Sequence, residues 1–324
     1  MAEHRYTHQH GRIREDTGND GLDRRGFLEC MAWAGTGLLW TVSGGVLSSR
    51  RLAFAADEKI PSGSFSFVQI SDSHIGFAAD ANRDVTGTLQ VAIERINALQ
   101  PTPAFLLHTG DLTHGQKAGE FDALAEHLKS ANVKQVYYAP GEHDVFADGG
   151  KEFLARHGRG LTGNGWGSFE FQGVHFIGLN NVADLKAGGL GALGGDQLEW
   201  LERDVAGLSS STPIVVFAHI PLWAVYPAWG WGTEDGERAL SYLRRFGSVT
   251  VLNGHIHQIM RKVEGSITFH TAMSTAFPQP APGSAPSPGP MKVPADRLRG
   301  LLGVTNVNLV PNAGPLAVVD STLG

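Results

Sequence analysis

The sequence predicts an α/β fold with strands and helices in alternation. Short apolar runs of strand character recur at 64–70, 104–107, 133–138, 214–217 and 249–252. Segments with apolar residues at helical spacing lie between several of them. Acidic and imidazole side chains gather directly behind the strand runs, where open α/β sheets bind ligands. Strand–helix–strand order implies parallel pairing through right-handed crossovers.

The elements follow in order. Ser64 to Ile70 alternates Phe65 and Phe67 before Val68-Gln69-Ile70 and reads as a strand. Val85 to Leu99 places Leu89, Ala92, Ile93, Ile96 and Leu99 on one helical face. A strand at Ala104 to Leu107, a helix at Phe121 to Leu128 and a strand at Val133 to Tyr138 come next. Ser168 to Phe171 and Val174 to Leu179 flank Gln172-Gly173, a hairpin signal. Asp196 to Leu208 is an amphipathic helix, Ile214 to Phe217 a strand and Asp235 to Phe246 another helix. Val249 to Leu252 and Ile267 to Thr271 are strands. Seven of the 16 prolines fall in 278–294, so that segment is a loop of the main domain. Thr305 to Val310 and Leu316 to Val319 close the fold as strands.

Residues 1–55 read as an export signal, and 56–324 as one domain. Asp23-Arg24-Arg25-Gly26-Phe27-Leu28 resembles a twin-arginine motif. A Gly-containing apolar stretch from Met31 to about Leu47 follows, and Ala53-Phe54-Ala55 offers a cleavage site. A periplasmic or secreted protein with no membrane anchor in its mature chain is expected. The other reading, a disordered tail and a membrane anchor, needs a longer apolar span. The only cysteine, Cys30, lies inside the signal, so the mature chain offers neither disulfide nor thiolate. Of 26 basic and 32 acidic residues, seven and six lie in 1–55, which leaves a formal charge of −7 on the remainder. That balance argues against a broad nucleic-acid surface. The sequence does not speak to oligomeric state.

Five blocks carry the chemistry: Asp72-Ser73-His74, Gly110-Asp111, Gly141-Glu142-His143-Asp144, Ala218-His219 and Gly254-His255-Ile256-His257. Carboxylates and imidazoles bunched at strand ends suit Zn²⁺, Mn²⁺ or Fe. A single Asp behind a strand also suits helix capping, and a single His a structural hydrogen bond. Five blocks in this order are more specific. They resemble the calcineurin-like metallophosphoesterase superfamily, over roughly Phe65 to His270. That resemblance implies a four-layer α/β/β/α sandwich with two metal ions. One ion would take Asp72, His74, Asp111 and His257, and the other Asp111, Glu142, His219 and His255, with Asp111 bridging. A metal-bridged hydroxide would attack the phosphorus of a small phosphoester, mono- or diester, in line. His143 would serve as the acid or electrostatic group, and Asp144 would hold its imidazole.

One position departs from the family. Its Asn, a neutral carbonyl ligand, is Glu142 here. An ionised Glu142 ligand removes the net positive charge that two divalent ions would otherwise keep. Such a cluster predicts an Fe³⁺-containing pair or slow hydrolysis with divalent ions, unless Glu142 swings out. The departure also keeps open a non-hydrolytic metal-binding protein on the same scaffold. His114 either reaches substrate or is a solvated loop residue. The aromatic run from Trp223 to Trp231 either stacks on substrate or packs on itself.

Overall fold

The computed structural model describes residues 63–310 and 316–324, together with the backbone of two N-terminal strands. The chain divides into two compact units, Met1–Asp57 and Glu58–Gly324. Within the first, β1 (Leu38–Ser43) pairs antiparallel with β2 (Val46–Arg51). The twin-arginine motif and the cleavage site lie outside the described residues.

The second unit is built on two sheets. One runs β13 (Ala317–Thr322), β12 (Gly303–Leu309), β3 (Phe65–Ile70), β4 (Leu106–His108), β5 (Val136–Tyr138). The other runs β10 (Arg261–Glu264), β11 (Ile267–Thr271), β9 (Val249–Asn253), β8 (Ile214–Phe217), β7 (Val174–Gly178), β6 (Gly167–Phe171). The central pairings β3·β4, β4·β5, β7·β8, β8·β9 and β9·β11 are parallel; the outer ones are antiparallel. The hairpin expected at Gln172-Gly173 forms, with both residues at positive φ as a two-residue turn requires.

Three apolar layers separate four structural ones. Helices α1 (Val85–Asn97) and α2 (Ala118–Leu128) pack on the first sheet through Leu89, Ile93, Ile96, Phe121 and Leu124. Between α2 and β6 lies a short helix, α3 (Lys151–His157), that buries Phe153. Helices α4 (Gly195–Ala206) and α5 (Gly236–Leu243) cover the second sheet through Leu198, Leu201, Val205, Leu240 and Leu243. Between the sheets lie Phe67, Phe105, Phe176, Val215, Phe217 and Val307. Phe67 stacks on Phe105 at 5.1 Å and meets Phe176 of the facing sheet edge-on at 5.3 Å. Truncating a buried Phe of this kind to Ala costs about 3–5 kcal/mol. This is the α/β/β/α sandwich that the resemblance implied.

The differences from expectation are small and have causes. Strand β10 reads Arg-Lys-Val-Glu and is exposed, so it carries no apolar period; its charges guard the sheet edge. Helix α3 has seven residues and one buried side chain, too little for a helical pattern. From Ala272 to Pro294 there is neither helix nor strand, and a short helix, α6 (Ala295–Leu298), follows. Among the described residues, no helix is long and apolar enough to cross a membrane.

One buried imidazole ties the second sheet to its helix layer. His175 of β7 sits with Nδ1 2.5 Å from Glu170 Oε1 of β6 and Nε2 2.7 Å from Asp204 Oδ2 of α4. Burial lowers its pKa, but Asp204 and Glu170 outweigh burial and the net shift is upward. A raised pKa stabilises the fold below the ordinary histidine pKa, and the contribution disappears as pH climbs through the raised value. His175→Gln should therefore cost more stability at about pH 5.5 than at about pH 9. Urea midpoints of both proteins at the two pH values measure this; an equal cost at both would refute it.

Candidate metal centre

The ligand blocks leave the carboxyl ends of central strands from both sheets. Strand β3 delivers Asp72 and His74, β4 delivers Asp111, and β5 leads to the 3₁₀ turn Glu142–Asp144. From the second sheet, β8 delivers His219 and β9 delivers His255 and His257. Five of these seven residues have left-handed backbones: Asp72, His74, Asp111, His255 and His257, at φ between 41° and 70°. Among described non-glycine residues only Gln116 and Gln172 share that feature. Such strain gathers at functional sites.

Glycine makes the close approach of these loops possible. A Cβ on Gly254 would collide with the side chains of Ser71 and Asp72. One on Gly141 would collide with Asp111, backbone and carboxylate alike. The glycines of the motifs therefore keep other loops' ligands in place.

The seven side chains meet as two sets with Asp111 between them. Asp72, His74 and His257 form the first set, and Glu142, His219 and His255 the second, each with ligand atoms within 4.8 Å of one another. Asp111 Oδ2 lies 3.5 Å from His74 Nε2 and 3.5 Å from His219 Nε2, the position of a shared ligand. His257 Nε2 is 3.3 Å from Asp72 Oδ1 and 3.3 Å from His74 Nε2. Glu142 points inward, with Oε1 3.0 Å from His255 Nδ1 and Oε2 3.0 Å from His219 Nε2.

Metal ions fit this donor set. Glu142 Oε2 is buried without a hydrogen-bond partner, despite its proximity to His219. Imidazole nitrogens face each other at 3.3 Å both at His74–His257 and at His255–His219, an arrangement cations would satisfy. The donors are oxygen and nitrogen only, which suits Zn, Mn or Fe. The carboxylates are held ionised. Burial raises Asp72, but His257, His219 and His74 bring it below the ordinary range. Burial likewise opposes ionisation of Glu142, and His255 and His219 bring it well down. Burial lowers His74 to about 3, so it stays a neutral donor.

His143 lies beside the cluster. Its backbone N–H donates to Asp111 Oδ1 at 2.9 Å, and its Nδ1 is 2.8 Å from the carbonyl oxygen of His114. Asp144 does not hold this imidazole, contrary to the sequence expectation. Its carboxylate turns the other way and accepts from the N–H groups of Gly141, Leu112 and Thr113 and from the Thr113 hydroxyl. The three-residue 3₁₀ turn sets the two side chains on different sides, so Asp144 clamps the Asp111 loop to the Glu142 loop. Burial, then Asp111, pushes Asp144 up to about 7.

Sequence reasoning missed several supporting groups. The carbonyl of Thr109 pairs with His219 Nδ1 at 2.7 Å, and that of Phe277 with His257 Nδ1 at 2.5 Å. Gln279 donates to the His255 carbonyl at 3.1 Å, so the Pro-rich segment begins as a brace for this loop. Backbone carbonyls carry no sequence signal. Phe146 was also missed: it is 64% exposed and its ring lies edge-on to His143 at 5.9 Å. In the aromatic run Trp223 packs on Phe269 at 4.8 Å, and the remaining rings pack on one another. Trp231 is fully buried, Trp229 meets it edge-on at 5.1 Å, and Tyr226 meets Trp229 at 5.2 Å.

A two-sheet sandwich with a carboxylate–imidazole cluster at its strand ends defines a metal-dependent phosphoesterase. The sequence model for calcineurin-like phosphoesterases matches residues 65–259, and the chain belongs to that family. A 3′,5′-cyclic-nucleotide phosphodiesterase of Nostoc sp. is 28% identical over 233 residues, 68% of this chain and 81% of that protein. The serine/threonine-protein phosphatase CPPED1 of Danio rerio is 27% identical over 236 residues, 62% of this chain and 73% of its own. Among solved structures, a dimetal phosphatase from Danio rerio has a TM-score of 0.58 at 17% identity, covering 80% of this chain and 98% of that one.

Because Asp111 Oδ2 lies 3.5 Å from one histidine of each set, Asp111→Asn should weaken retention of both ions. Elemental analysis after dialysis checks this. A variant that keeps two tightly held ions would show that Asp111 does not bridge.

Proposed function

We propose that this chain hydrolyses small phosphodiesters at a pair of metal ions held by Asp72, His74, Asp111, Glu142, His219, His255 and His257. The observation that carries the reading is the placement of Asp111 Oδ2 at equal distance from His74 and His219, one in each set. Bound there, two ions supply positive charge to a phosphoryl group and make water more acidic. The names of the relatives support phosphoester substrates.

The chain's own residues do the rest. His143 Nδ1–H donates to the His114 carbonyl, which leaves Nε2 to face substrate. Burial lowers the His143 pKa, yet Asp111 and Glu142 outweigh it and the net shift is upward. Placed beside the cluster, a protonated His143 would deliver its proton to the leaving oxygen as water attacks phosphorus in line. The exposed Phe146 ring beside it offers an apolar face to a base or an aromatic leaving group.

Glu142 points into the cluster and adds a negative charge to it. That favours a monoanionic diester over a dianionic monoester, and a pair containing Fe³⁺ over two divalent ions. Residues 1–55 we read as a twin-arginine export signal, which places the enzyme in the periplasm or outside the cell.

Three outcomes test this reading. On a panel of phosphodiesters and monoesters with Mn, Zn or Fe, His143→Ala should keep its metal and lose turnover by about 10²–10⁴-fold; wild-type turnover would make His143 structural. Glu142→Asn should raise diesterase activity with Mn²⁺, and unchanged or reduced activity with both sites full would remove the charge account. An Arg24→Lys, Arg25→Lys variant should accumulate in the cytoplasm; undiminished export would point to another route.

A further inference from the structure

The ligand histidines do not have equivalent outer partners. His219 and His257 each turn Nδ1 to a backbone carbonyl, of Thr109 and Phe277. His74 turns Nδ1 to another imidazole: His114 Nδ1 lies 3.4 Å away. His74 Nε2 faces the cluster, toward Asp111 and His257. A ligating Nε2 leaves the proton on Nδ1, so His74 donates and His114 Nδ1 accepts. His114 is then the neutral tautomer protonated at Nε2.

The same residue holds His143. The carbonyl of His114 accepts from His143 Nδ1 at 2.8 Å, and the two rings stack with centroids 4.8 Å apart and planes at 19°. Two further contacts fix the His114 ring. Phe77 lies edge-on at 5.1 Å and His74 edge-on at 5.4 Å. Its backbone is fixed by the N–H bond to the Ile75 carbonyl at 2.9 Å, which joins the His114 loop to the Asp72–His74 loop.

We infer that His114 is a positioning residue that sets the tautomer and aim of the ligand His74 and, through ring stacking and its carbonyl, the aim of His143. It does so without touching the reacting atoms. The inference rests on the proposed metal-dependent reaction, but its first readout is metal retention, which needs no substrate.

Two variants separate the two roles. His114→Phe keeps an aromatic face for His143 and Phe77 but removes the acceptor for His74. His114→Gln offers a side-chain carbonyl to His74 but no ring. In metal competition against a chelator, His114→Phe should lose about 10–100-fold in affinity for one of two ions, the usual cost of removing such a partner. His114→Gln should recover most of that affinity. With a diester substrate, His114→Gln should lower kcat by about tenfold or more with little change in KM, because the acid is misaimed in the transition state. Wild-type metal affinity in His114→Phe would overturn the His74 role. Wild-type kcat in His114→Gln would overturn the His143 role. If His114→Phe fails to fold, His114→Leu gives the same metal test without the acceptor. Should wild-type protein cleave nothing on the panel while His114→Phe still loses metal, the proposed function falls and the His74 role stands.

Discussion

Everything in this molecule depends on bringing two buried aspartates against four imidazoles from two separate sheets. The backbone has to bend sharply at the strand ends to do it, and five ligand residues sit in the left-handed region. Each such residue costs on the order of 1–3 kcal/mol unless its surroundings hold it. Here the loops hold one another. Asp72 N–H donates to the Gly110 carbonyl and His74 N–H to the Asp111 carbonyl, both at 3.0 Å. Gly254 N–H donates to the His219 carbonyl at 3.0 Å, and His255 N–H reaches the Asp72 carboxylate at 3.1 Å. That last bond crosses from one sheet to the other. So does Gln69 Nε2 to the Asn253 carbonyl at 3.1 Å, one layer below. The packed seam of Phe67, Phe105 and Phe176 sets the spacing of the sheets, and thereby the spacing of the ligands.

This dependence explains what was legible in the sequence. The candidate ligands here are Asp, Glu and His residues that follow strands, so they appear as short motifs with glycine where another loop comes close. Asp72, His74, Asp111, Glu142, His219, His255 and His257 could all be read that way, and the structure brings all seven together. The parallel core strands showed as apolar runs because both faces are buried. What could not be read is what side chains do not encode. The carbonyls of Thr109, Phe277 and His114 orient three imidazoles, and any residue could supply them. Asp144 shows the same limit: adjacency to His143 suggested a contact, and the local turn sends the carboxylate into the loop framework instead. The charged edge strand β10 lacked a pattern because it buries little.

Electrostatics makes the centre a device for holding cations. Burial by itself would neutralise Asp72 and Glu142; the surrounding imidazoles keep both ionised. Asp111 and Glu142 hold His219 well above the ordinary range against burial. A fully buried group at that balance binds protons when it binds no metal, so ions and protons compete for one set of donors. The donors are oxygen and nitrogen only, and Glu142 adds a third carboxylate to the two aspartates.

The residues of the centre also differ in exposure. The side chains of Asp72, His74 and His257 are no more than 3% exposed, as are those of Asp111 and His219. Glu142 and His255 are 24% and 12% exposed. His255 Nε2 has no hydrogen-bond partner, whereas the outer nitrogens of His74, His219 and His257 all have one. Glu142 and His255 are therefore the more exposed residues of an otherwise buried centre. His143 and the exposed Phe146 belong to the same loop as Glu142, so an imidazole, an apolar surface and the more exposed carboxylate lie together. Of the three carboxylates gathered here, Glu142 is thus the one that lies nearer solvent than the buried aspartates, so an entering anion would meet it first.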